Sequence, residues 1–206
     1  MKKQNMENKF DEKQSLAVIG NMIAQAQNRI KRGDGNYFMW WGYVIAIASI
    51  AHFVWLLHDP QQAAMHADWI WGVATPLGLV GTLVIYFIER RKKKGMPYVR
   101  TYTDSIGTAV WAGFCVCAFA LSFMLNGKNG ALIYPSISLV YTFALFVSAR
   151  AYRFRWMYWN VAVCAACVIA YKFLPMIYFP LLMGALMTVG NIIPGHIINC
   201  KARRRV

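Results

Sequence analysis

The sequence predicts an all-α membrane bundle of six transmembrane helices, both termini cytoplasmic, preceded by a cytoplasmic amphipathic helix. Three observations predict it. Of the 206 residues, 58% are hydrophobic and only 15% charged, where soluble domains are roughly 45–50% apolar and about 25% charged. Six long apolar stretches lack Asp, Glu and Arg. The Lys and Arg residues fall in alternate connections. This composition excludes a disordered chain, a collagen-like chain and an ordinary soluble enzyme. In a soluble protein a formal net charge of +14 would suggest nucleic acid; here the placement of the charge decides otherwise.

The chain divides into a cytoplasmic segment, residues 1–36, a transmembrane domain, 37–198, and a basic tail, 199–206. In the first segment Leu16, Ile19, Ile23, Ala26 and Ile30 recur at spacings of three and four, which makes one apolar seam on a helix. Asp11 or Ser15 suits its start, and Gly33-Asp34-Gly35-Asn36 its end. Two heptads are too few for a coiled coil alone, so the seam needs a surface: the membrane interface, its own bundle, a second copy or a cytoplasmic protein. No cleavable signal is expected, because Glu7, Lys9, Asp11 and Glu12 stand where an apolar core would follow Lys2-Lys3.

The six stretches are Tyr37–Leu57, Trp69–Ile88, Ile106–Leu125, Ala131–Ala149, Trp156–Phe173 and Met176–Ile193. A bilayer core ~30 Å thick needs about 20 such residues in helical form. The last two stretches are the shortest, with a tight turn at Lys172-Phe173-Leu174-Pro175 between them. Alternate segments hold 20 of the 22 Lys and Arg, and the positive-inside rule then places both termini in the cytoplasm, of a bacterial inner membrane in this reading. Arg90, Arg91, Lys92, Lys93 and Lys94 follow the second stretch immediately and suit anionic lipid headgroups. No aromatic-interleaved basic motif for nucleic acid is present. Trp40, Trp41, Trp55, Trp69, Trp71, Trp156 and Trp159 fall near the ends of stretches, as interfacial indoles do; Trp111 lies deeper.

Three features bear on chemistry. His52, Thr75 and Asn191 form a candidate intramembrane polar site, since an ionisable or polar group in a span is a functional candidate. Thr75-Pro76-Leu77-Gly78 and Gly190-Asn191 with Pro194-Gly195 interrupt the second and sixth stretches, as in transporters with broken helices, though a kink at Pro76 and glycine packing explain them better. His58, Asp59, His66 and Asp68 gather in the first outer connection, a candidate metal or membrane-enzyme site without established ligand spacing. Cys115, Cys117, Cys164 and Cys167 lie mid-span among apolar neighbours, which suits helix packing better than thiol chemistry. No catalytic set and no cofactor are expected.

The Phe38-x-x-Trp41-Gly42 opening, Trp71-Gly72, the Glu89-Arg90-Arg91-Lys92 exit and the closing Ile193-Pro194-Gly195-His196 with its basic tail resemble a family of small six-helix inner-membrane proteins of Bacteroidota. The resemblance spans residues 15–205 or thereabouts. It implies location and a regulatory context, because members are often encoded beside a small winged-helix regulator, and it implies no catalytic residues. The seam Leu16–Ile30 and the lack of a recognisable catalytic set in the sequence make the expected function a non-enzymatic inner-membrane protein with a regulatory or scaffolding role through its cytoplasmic helix. A small-solute transporter or channel, and a membrane enzyme at the outer His/Asp group, are the other two expectations.

Overall fold

The computed structural model describes residues 34–92, 102–126, 130–152 and 155–203. The seam Leu16, Ile19, Ile23 and Ile30, and Lys93 and Lys94, lie outside the described residues. No β-strand occurs among the described residues, and eight α-helices follow in chain order. They are α1 (Asp34–His58), α2 (Pro60–Met65), α3 (Ala67–Lys92), α4 (Tyr102–Leu125), α5 (Ile133–Tyr152), α6 (Arg155–Ala170), α7 (Phe179–Met187) and α8 (Ile193–Arg203). Short 3-10 turns at Gly130–Leu132 and Met176–Tyr178 lead into α5 and α7, and a π-helical turn, Thr188–Ile192, joins α7 to α8.

Among the described residues, five segments are long and apolar enough to cross a bilayer: Gly35–His58, Ala67–Arg91, Ser105–Leu125, Gly130–Ala151 and Met176–Cys200. The apolar helix Trp156–Ala170 is shorter. It stops before Phe173, the end of the predicted stretch, because Pro175 disfavours helix in the residue ahead of it and has no N–H to donate. The chain turns instead, with the Lys172 and Phe173 amides donating to the carbonyls of Ile169 and Ala170.

The last segment runs past Ile193, where the apolar stretch ends, because the π turn accommodates Pro194. In a regular helix the proline ring would clash with the carbonyl four residues back. Here the turn is widened by one residue, and the Ile193 amide donates to Thr188, five residues back. In the connection after α1, Asp59 accepts from the Gln62 amide at 3.0 Å and Pro60 occupies the first turn, so α2 forms where a loop was expected.

Helix α1 is the hub, packing on α3, α7, the π turn and α8, while α5 packs on α4, α6 and α7. Tyr141, Leu145, Met157, Leu186 and Met187 are fully buried between these helices. The outside is apolar. Phe119 and Phe123 of α4 are 76% and 80% exposed, and α3 presents Val73, Leu77, Val80 and Leu83. Such a surface is untenable in water at this extent and suits a helical membrane bundle.

Two close approaches set the packing around α1. Trp40 and Trp41 lie over Gly81 and Gly78 of α3, where a Cβ would collide with the rings. Their indole N–H groups donate to the Gly78 carbonyl at 3.0 Å and to Thr82 Oγ1 at 2.9 Å. These two tryptophans, placed by sequence at an interface, thus also fasten α1 to α3. Gly35 and Gly195 meet backbone to backbone where α1 crosses α8.

Candidate functional site

The buried face of α5 carries the polar groups. Tyr134, Ser138, Tyr141, Thr142 and Ser148 follow helical spacing on one side of an otherwise apolar helix. From Tyr134 to Ser148 this row extends about 21 Å, at ~1.5 Å per residue. Partners come from α1, α3, the α6–α7 connection, α7 and the π turn, so the row forms a polar seam between helices.

At one end Trp71 Nε1 donates to Tyr134 Oη at 3.0 Å, and Tyr134 Oη is bonded to His52 Nδ1. Indole can only donate. If Tyr134 gives its own proton to Nδ1, the imidazole carries its hydrogen on Nε2. His52 is 3% exposed, and its Nε2 meets no side-chain partner among the described residues. The backbone of Ala63 in α2 lies close enough to act on the ring. One turn earlier on the same face of α1, the Ser49 hydroxyl is buried without a partner among the described residues, packed beside Gly184 of α7.

Midway, Ser138 Oγ and Tyr171 Oη are 3.1 Å apart, and Ser138 also reaches Met183 Sδ at 3.3 Å. Thr142 Oγ1 donates back to the Ser138 carbonyl at 2.8 Å. Further along, Tyr141 Oη donates to Asn191 Oδ1 at 2.8 Å, and Asn191 Nδ2 points at Met187 Sδ, 3.5 Å away. Gly190 makes room for the Tyr141 ring, and Trp111 and Phe114 of α4 close around it. Ser148 Oγ, like Ser49 Oγ, is buried without a partner among the described residues.

The structure separates the predicted intramembrane trio. His52 and Asn191 both face inward, but Asn191 packs beside Gly42, ten residues from His52 and about 15 Å along α1. Thr75 is exposed on α3; its neighbour Trp71 supplies the contact from that helix. In the connection between α1 and α3 Asp59 caps α2 and His66 stacks edge-on against Trp69, while Asp68 accepts from Asn126, just past the end of α4, at 3.5 Å. His58 is exposed at the end of α1. Among the described residues no three His, Cys, Asp or Glu side chains come together. Arg90 and Arg91 are exposed at the end of α3, which Lys92 closes.

A second polar group lies at the opposite end of α1. Asn199 Nδ2 of α8 donates to Asn36 Oδ1 at 2.7 Å, and Asn36 Nδ2 reaches Glu89 Oε1 of α3 at 3.4 Å. The cysteines are all free thiols, Cys164 lying against the Leu186 carbonyl at 3.8 Å.

The sequence reading of His52, Thr75 and Asn191 missed Tyr134, Ser138, Tyr141 and Ser148. Their helical spacing within Ala131–Ala149 is visible in the sequence and marks one polar face. Chemically, the seam offers hydroxyl, imidazole, indole and amide groups. These suit uncharged hydrogen-bonding groups and tie helices together. Compared with known proteins, the chain matches no protein-family profile, no curated protein and no solved structure.

Proposed function

We propose that this chain is a non-enzymatic inner-membrane protein of six spans, both termini cytoplasmic, whose bundle anchors the cytoplasmic helix of residues 15–32 for regulatory or scaffolding contact. The observation that carries it is how the polar groups of the spans are used. His52 with Tyr134 and Asn191 with Tyr141 each join one helix to another, so the bundle reads as a fastened support. Parity supports the span count. Five long crossings would leave the start of α1 and the end of α8 on opposite faces, yet Asn36 and Asn199 are bonded to each other. Helix α6, 16 residues and about 24 Å long, then makes the sixth pass. The basic residues put that shared face in the cytoplasm, with Arg90, Arg91 and Lys92 at anionic headgroups. The partner of the seam Leu16–Ile30 is a second copy or a cytoplasmic protein, and the resemblance to the Bacteroidota family accords with this.

Deletion of residues 1–32 tests the reading, with cross-linking of intact cells and mass spectrometry as the readout. Loss of the cross-linked dimer or of a specific neighbour is expected. Unchanged oligomeric state together with an unchanged set of neighbours overturns it.

A transport role is the second reading, favoured by the Ser49 hydroxyl, without a partner among the described residues, one turn from the buried His52, and by the π turn at Asn191. The cargo would be small and uncharged, matching a seam of neutral groups. Proteoliposomes swelling in glycerol or urea at a rate that drops in His52→Leu support it. Rates equal to protein-free vesicles for both solutes end it.

A further inference from the structure

Tyr43 Oη of α1 and His196 Nε2 of α8 are 3.0 Å apart, and both side chains are exposed. Tyr43 stands on the face of α1 that also presents Ile47, Ile50 and Val54. His196 stands one turn from Ile193, exposed on the same side of the last segment. Both residues lie inside apolar segments, Gly35–His58 and Met176–Cys200. Tyr43 is about 12 Å along the first of these, at ~1.5 Å per residue. The pair is thus a polar spot on the outward surface of a span, where hydrocarbon offers no hydrogen bond. Polar side chains at such depth ordinarily face other protein.

Either tautomer leaves the pair with one spare donor and one spare acceptor. If Tyr43 donates, the imidazole keeps Nδ1–H and the phenol oxygen a free lone pair. If His196 donates, the phenol keeps its O–H and Nδ1 its lone pair. Neither side chain makes another hydrogen bond among the described residues. A lipid tail supplies no partner for these groups. A second copy related by a twofold axis supplies both, because the donor of each pair meets the acceptor of the other. The flanking Ile47, Ile50, Val54 and Ile193 carry no charge, so two copies of this face meet without repulsion.

We infer that the chain forms a twofold dimer through this face of α1 and α8, with the two Tyr43–His196 pairs hydrogen-bonded to each other and Ile47 and Ile193 packed around them. The contact lies in the spans and is separate from the one proposed for residues 1–32, so its failure leaves that reading standing.

The test is disulfide trapping of the full chain in native membranes, with Cys115, Cys117 and Cys200 replaced by Ala. Ile47→Cys is expected to give a product of twice the chain's mass on mild oxidation, and Phe119→Cys, on the exposed face of α4, is expected to give none. Tyr43→Phe keeps the ring and removes the hydroxyl from both copies. It is expected to weaken dimerisation of the purified chain in liposomes about eightfold, the effect of two interhelical bonds of average strength, as read by single-molecule subunit counting across dilutions in lipid. No Ile47 product, or one formed no faster than from Phe119→Cys, overturns the interface. A product of any other mass places a different membrane protein on this face and overturns the second copy. A dilution curve unchanged in Tyr43→Phe overturns the part given to the pair.

Discussion

Asn199 donates to Asn36 across 163 positions of sequence, at 2.7 Å. This one bond places the first and last described helices end to end on a single face. Beside it Gly35 and Gly195 bring the two backbones together, and Glu89 adds the end of α3. The arrangement holds the start of α1, the end of α3 and the end of α8 together.

The pairing predicts a cross-link. With Cys200 replaced by Ser, Asn36→Cys with Asn199→Cys should form a disulfide on mild oxidation in membranes, whereas Asn36→Cys with Asn126→Cys should not. Both single cysteines should react with a membrane-impermeant thiol reagent only in inverted vesicles. Labelling of either from the periplasmic side contradicts the assignment of sides, and failure of the 36–199 link contradicts the packing.

Tyr141 and Asn191 should be energetically coupled. Asn191→Leu leaves the buried Tyr141 hydroxyl without its acceptor, at a cost of about 1–3 kcal/mol. Adding Tyr141→Phe should recover part of the loss. Coupling of about 0.6–1.7 kcal/mol, the range found for hydrogen bonds between membrane helices, is expected in a double-mutant cycle read by detergent unfolding. Strict additivity would argue against the bond.

Gly81 and Gly113 should respond very differently to the same change. Gly81→Ala drives a methyl group into the Trp40 ring and should destabilise by about 1–3 kcal/mol. Gly113→Ala, on α4, meets nothing within 4 Å and should fall within about 0.5 kcal/mol of wild type. Thermal unfolding in one detergent ranks the two directly.

The cap of α2 gives a local prediction. Asp59→Ala removes the acceptor of the Gln62 amide and should cost about 1 kcal/mol of local stability. Faster hydrogen exchange confined to residues 60–66 is the expected readout, with the spans unchanged. Unaltered exchange there would mean that the surroundings, and not the cap, hold the helix.

Much of this was legible in one dimension, element by element. The apolar stretch beginning at Tyr37 and the one ending at Leu125 coincide with α1 and α4, because apolar length suffices to specify a helix in lipid. The turn after Ala170 follows from Pro175. Less legible was α2, although Asp59-Pro60-x-Gln62 carries a capping signal that reading the segment as a polar loop overlooked. The candidate trio failed as a group for a different reason: His52, Thr75 and Asn191 are polar, but polarity does not say which way a side chain turns. Thr75 faces outward, and the other two lie on different turns of the bundle.

Composition, stretch length and charge placement alone determined that the chain is helical, that its long helices are apolar enough for a bilayer, and which connections are basic. Those properties follow from each residue's exchange between water and hydrocarbon and need no neighbour. Which helices touch, and which hydroxyl meets which imidazole or amide, only the tertiary structure decided. Tyr134 finds His52, and Tyr141 finds Asn191, because glycines at 42, 184 and 190 let particular helix faces approach. Pairing depends on the fit of surfaces far apart in sequence, and hydropathy is blind to it.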